Sequence, residues 1–130
     1  MRTELLTYLT ANLTASIKSS NELPFDQGGN VLYLKNMRRV YIDEPYIVQE
    51  EFIPTLDLNG IFRNVTHIKA YLAVDAKNRN ADLDSALSTI ANAKNTSTIT
   101  SSFRREFDYT TTIDNDILLY EFEYRFYNIA

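Results

Sequence analysis

Apolar side chains recur every four residues at the start of the chain, at Leu5, Leu9, Leu13 and Ile17, with Leu6 widening the stripe. The opposite positions hold Thr, Asn, Ser and Lys, so the spacing predicts an amphipathic helix from residue 3 to about residue 18, with Thr3 as its N-cap. Ser19 to Asn30 then gather Ser, Asn, Pro24 and the Gly28-Gly29 pair, which is turn chemistry, with Leu23 and Phe25 available for a short extended contact. From Val31 the period changes. Val31 to Leu34 and Arg39 to Asp43 read as two short strands or one bulged strand. Tyr46 to Ile53 lies between Pro45 and Pro54, so it reads as an extended piece confined to a sheet edge or to an excursion from the sheet.

Gly60 to Val74 alternates as a half-buried strand does, with Ile68, Ala70, Leu72 and Val74 on one face and His67, Lys69 and Tyr71 on the other. A second helical stripe follows at Leu83, Leu87, Ile90 and Ala91, with Asp82 and Asp84 in the first turn, where the helix dipole favours negative charge. The C-terminal third carries the strongest local pattern. Phe103 to Thr112 and Ile117 to Tyr127 both alternate around Ile113-Asp114-Asn115-Asp116, predicting a long β-hairpin. With Asp114-Asn115 as a two-residue loop, Tyr109 faces Tyr120, Phe107 faces Phe122 and Phe103 faces Phe126. That register sets like charges opposite one another on the other face. A shift by two residues, through a four-residue loop, instead sets Glu106 opposite Arg125 and keeps the aromatic face intact. The order of elements predicts an α+β fold: a mostly antiparallel sheet with two helices on one face and a long C-terminal β-hairpin.

Composition narrows the function classes. The 130 residues suit one domain spanning 1–130, and 45% apolar with 23% charged residues is a globular balance. Aromatic character comes from nine Tyr and seven Phe, with no Trp. The absence of cysteine excludes thiolate chemistry, disulfides and Cys-ligated metal. A net charge of -4 argues against phosphate binding as the main activity, although a basic cluster at Lys35, Arg38 and Arg39, interleaved with Tyr33 and Tyr41, is the one feature favouring nucleic acid. The first residues, which include Thr3 and Glu4, do not read as a signal peptide and no long apolar run occurs, so the expectation is a soluble, cytosolically made protein without a membrane partner.

Catalytic chemistry has few candidates. His67 is the sole histidine and sits on the more polar strand face, without a marked partner for a triad or a metal. Asp114-Asn115-Asp116 lacks the glycine and glutamate of a calcium loop, and Gly28-Gly29 lacks the strand, helix and third glycine of a nucleotide loop. Asp43, Glu44, Glu50 and Glu51 read as a solvated acidic arm rather than a hydrolytic carboxylate pair. Sequons at Asn12, Asn64 and Asn95 are chance matches in a chain read as cytosolic. The expectation is no enzyme, no cofactor and no metal.

The run Phe103-Arg104-Arg105-Glu106-Phe107-Asp108-Tyr109, an acidic turn, and Leu119-Tyr120-Glu121-Phe122-Glu123-Tyr124-Arg125-Phe126 resemble the end of tail terminator (tail completion) proteins of long-tailed bacteriophages. The similarity extends loosely to the leading helix, Val40-Tyr41-Ile42-Asp43-Glu44, the Val65 to Val74 strand and the second helix. This resemblance implies a virion protein at the head-proximal end of the tail, assembled in the host cytoplasm. It implies a homo-oligomeric ring, typically hexameric, that caps the tail tube protein, ends its elongation and meets a head-completion or neck protein, while genomic DNA passes through without specific binding. A head-to-tail connector or neck protein is the nearest alternative; a small α+β ligand-binding domain or enzyme, or a nucleic-acid-binding module, are readings from other classes. Independently of the family, we expect subunit contacts at Asp43, Glu44, Tyr46 and Glu50 on the arm, and at Arg104, Glu106, Glu123 and Arg125 on the hairpin's outer face.

Overall fold

A computed structural model of the chain describes residues 2–13, 16–52, 61–78, 81–95 and 104–129. Helix α1 (Arg2–Asn12) is followed by strands β1 (Lys18–Ser20), β2 (Arg39–Ile42), β3 (Tyr46–Phe52) and β4 (Ile61–Asp75), helix α2 (Ala81–Asn92), and strands β5 (Arg104–Asp114) and β6 (Ile117–Ile129). The strands form one sheet in the order β1-β2-β4-β6-β5, with β3 pairing the first half of β4 on the same side as β2. Among the described strands only the β1–β2 pair is parallel. The α+β architecture expected from the element order is therefore present: two helices and a mostly antiparallel sheet ending in a β-hairpin.

The main core forms where the helical stripes meet one sheet face. Leu5 and Leu9 of α1 and Leu83, Ala86 and Ile90 of α2 pack on Ile68, Ala70, Leu72 and Val74 of β4 and on Tyr120, Phe122, Tyr124 and Phe126 of β6. The buried Tyr124 hydroxyl donates to the carbonyl of Ile90, which satisfies a phenol that burial would otherwise penalise and ties β6 to α2. The four-residue stripe outlasts its helix. Leu13 and Ile17 are buried with Leu5 and Leu9, but the helix stops at Asn12 and Lys18–Ser20 run as a strand beside β2. Thr3 lies within the first turn rather than capping it, and its carbonyl accepts from the Thr7 hydroxyl.

Residues 21–38 do not supply a strand at Val31 to Leu34. Val31 makes an isolated bridge to Phe25 around a tight turn, in which the Asp26 carboxylate accepts from the backbone N–H of Gly28 and Asn30 and from the Asn30 amide, while Gly29 takes φ +80°. The loop folds over the second sheet face. Tyr33 stacks on Tyr71 at 4.8 Å, Phe25 meets both rings edge-on, and Tyr41 and Ala73 complete a second buried cluster. This corrects the expectation of one exposed β4 face: at its C-terminal end the strand is buried on both sides.

Burial at this cluster, together with the nearby Glu121 and Asp43 carboxylates, pushes the Tyr71 phenol up to about 12; Tyr33 and Tyr127 also move up, chiefly through burial. A phenol whose folded pKa is raised favours the folded state fully below its ordinary value near 10, and that contribution disappears as pH rises through the folded value. Urea midpoints should accordingly hold steady from pH 7 to about 9.5 and fall between about 10 and 12. Tyr71→Phe should flatten the drop.

Candidate assembly interface

The hairpin closes through Asn115 and Asp116, whose φ values of 48° and 64° give the left-handed pair of a two-residue turn matched to strand twist. Asp114 faces Ile117, and the ladder then sets Tyr109 opposite Phe122, Phe107 opposite Tyr124 and Glu106 opposite Arg125. This is the register offset by two residues from Asp114-Asn115 closure, and it needs a two-residue turn rather than a four-residue one. Phe103, expected opposite Phe126, lies outside the described residues. The aromatic phase is as expected, and Phe107 contacts Phe122 and Tyr124 at 5.9 and 5.0 Å. Coverage differs between the two strands, however. The β6 rings are buried beneath the helices, whereas Tyr109 is 49% and Ile113 69% exposed on β5.

The face opposite the helices carries the ionic residues. Arg125 sits at its centre, donating to Asp108 at 2.9 Å and lying 3.8 Å from Glu106 and 3.5 Å from Glu123. Asp108 is the main cause of the upward shift of the Arg125 guanidinium. Glu106 is held below the usual carboxylate range, first by the Tyr127 hydroxyl and then by Arg104 and Arg125. Glu123 also meets His67 Nδ1 at 2.9 Å, and Lys69 pairs with Glu121 at 3.3 Å. Of the expected hairpin contacts, Arg104, Glu106, Glu123 and Arg125 thus form one intramolecular network with mutually compensating charges.

The arm residues are placed differently. Among the described strands β3 pairs with β4 alone, and Tyr46, Ile47 and Val48 are 48%, 66% and 40% exposed. Tyr46 stacks flat on His67 at 4.8 Å. Glu50 receives both the Nε and a terminal nitrogen of Arg63 at 3.1 and 3.0 Å. Asp43 accepts from the backbone N–H of Glu44, whose own side chain is exposed. Tyr46 was expected on this arm, whereas the exposed Ile47 and Val48 beside it were not; their signal was an apolar run, Tyr46-Ile47-Val48, directly after Pro45.

His67 lies between Tyr46 and Glu123, which accounts for its position on the polar face. Tyr33 and Tyr41, the rings within the basic cluster, are buried and present no free face to a nucleobase; Arg38 donates to the Ser16 hydroxyl at 3.1 Å. Among the described residues, no group of three or more His, Cys, Asp or Glu is arranged to hold a metal ion. No helix among them is long and apolar enough to cross a membrane. An open cleft of 350 Å³ lies between Leu34 and the hairpin tip, lined also by Thr112, Asp114, Asn115, Ile117 and Leu119.

The fold and its surfaces define an α+β domain with a helix-covered core, an ion-paired sheet face and edge strands carrying exposed apolar residues. No protein-family model matches the chain, and no curated protein matches it.

Proposed function

We propose that the chain is a self-assembling structural subunit, and specifically a tail-terminator-like virion protein whose ring caps a phage tail tube and offers a surface for head joining. The observation that carries the assembly reading is β3. On this edge strand Tyr46, Ile47 and Val48 are all exposed and form an uncharged apolar run between Pro45 and Glu50, a surface that contact with another subunit would cover. A ring requires a heterologous contact, in which one patch meets a different patch on the next copy. The arm of one subunit, led by Glu44 and Tyr46, fits that role against the ion-paired face of its neighbour. The resemblance of the C-terminal strands to tail terminators supplies the particular ring and its six-fold expectation.

Light scattering coupled to size exclusion tests the reading. The expected mass is near six chains, alone or on addition of tail tubes; a single-chain mass under both conditions defeats it. Glu44→Lys and Tyr46→Ala should lower the assembled fraction while leaving far-UV circular dichroism unchanged, because neither side chain is part of the core. Assembly that withstands both changes removes the arm from the contact. Labelling within particles separates a terminator, at the tube end, from a neck protein, which belongs on the head side.

A further inference from the structure

Strand β5 forms the other end of the sheet, and its outer side faces no described strand. The two-residue turn determines which backbone groups point there. Asp114 and Ile117 flank the turn and exchange both hydrogen bonds, so Asp114, Thr112, Thr110, Asp108 and Glu106 direct their N–H and C=O toward β6. Arg105, Phe107, Tyr109, Thr111 and Ile113 direct theirs outward. From Tyr109 to Ile113 this edge reads Tyr-Thr-Thr-Thr-Ile, exposed throughout, without charge or proline. Such an edge is a template for another strand.

We infer that β5 pairs with β5 of a second copy, antiparallel about a two-fold axis at Tyr109. The charges select both the partner and the register. Pairing centred on residue 106 or 108 sets Glu106 or Asp108 against itself, and centring on 107 sets Glu106 against Asp108. Centring on 110 opposes Glu106 to Asp114, and centring on 111 opposes Asp108 to Asp114. Like charges directly across a ladder are destabilising. Centring on Tyr109 opposes no like charges, and it brings Arg104 of each copy across from Asp114 of the other. Glu106 then faces Thr112, Asp108 faces Thr110, and Phe107 faces Thr111. The outward-directed residues meet one another, so every free backbone group from Arg105 to Ile113 gains a partner, and the two exposed Tyr109 rings cover each other. Centring on 112 avoids repulsion too, but it overlaps only residues 110–114 and leaves Phe107 without a partner strand. The contact is isologous and closes on itself, so it goes beyond the ring reading and does not depend on it: it joins two subunits, or two rings, back to back.

The chain has no cysteine, so introduced ones report contacts cleanly. Tyr109→Cys should give a covalent dimer under mild oxidation that reverts with reductant. Ile113→Cys should give none, since its two copies would lie roughly 27 Å apart at 3.4 Å per residue. The double variant Arg104→Cys with Asp114→Cys tests the same register with Tyr109 intact and should crosslink as readily. In uncrosslinked protein, Arg104→Glu alone and Asp114→Arg alone should each weaken dimerisation about tenfold by turning two attractive contacts into repulsive ones, and combining them should restore it. Crosslinking at Ile113 equal to that at Tyr109, no crosslinking in either Tyr109→Cys or the double cysteine variant, or a charge swap no better than its single changes, overturns the pairing. A six-chain mass without these crosslinks leaves the ring standing and removes the β5 pair; crosslinks in a chain that never exceeds a dimer do the reverse.

Discussion

Phe122→Ala should lower the unfolding free energy by about 3 to 5 kcal/mol, the range for deleting a fully buried aromatic ring. Phe122 has no exposed surface and lies at the centre of the main core, between Tyr120 and Tyr124 along β6 and opposite Ala70 of β4 and Tyr109 of β5. Its ring stacks on Tyr120 at 5.8 Å and on Phe107 at 5.9 Å, so truncation opens a cavity that neighbours can fill only by leaving their rotamers. Urea denaturation followed by far-UV circular dichroism measures the loss. Phe107→Ala is the companion control: the same residue type on the half-buried edge strand should cost less than half as much. Equal losses at the two sites would contradict the difference in coverage between β5 and β6.

Arg125→Glu should cost about 2 kcal/mol at neutral pH and low salt, less than a fully buried pair because Arg125 retains some solvent contact. The change removes the cation shared by Glu106, Asp108 and Glu123 and adds a fourth carboxylate among them. The penalty should shrink in about 1 M salt, where the Debye length falls to about 3 Å. It should also shrink with acid, and the sign follows from the carboxylates. In the wild type, Glu106 has a depressed pKa, so its stabilising contribution is present above the ordinary value near 4.5 and lost as pH falls through the lower folded value. In the variant, crowded carboxylates favour protonation, which relieves repulsion as pH falls. Wild-type and variant stabilities should therefore converge below about pH 4; a constant difference across pH and salt would show that Arg125 acts through packing of its stem alone. Charge reversal at Arg125 consequently perturbs the monomer, and Glu44, outside the network, is the better probe of assembly.

From Arg104 to Tyr127 alternation settled which side chains of the hairpin face the helices, because a period of two residues is a local property of an extended chain. The second helical stripe was legible for a similar reason, whereas the first runs past the end of its helix at Asn12. Tertiary structure decided what alternation cannot express. Asn115 and Asp116 both adopt left-handed φ, and opposite charges at Glu106 and Arg125 face each other in the resulting register. Burial of Ile17 beyond the end of α1 comes from β1 docking beside β2, a parallel contact between segments about 20 residues apart that no local pattern encodes. The loop carrying Tyr33 likewise buries Tyr71 and Ala73 on what reads as the polar face of β4. The expected interface residues follow the same division: their sequence shows charge and exposure, but whether Arg104, Glu106, Glu123 and Arg125 are available or already paired depends on which strands lie side by side. Sidedness is written into each strand, whereas coverage, register and charge compensation arise only when distant strands meet.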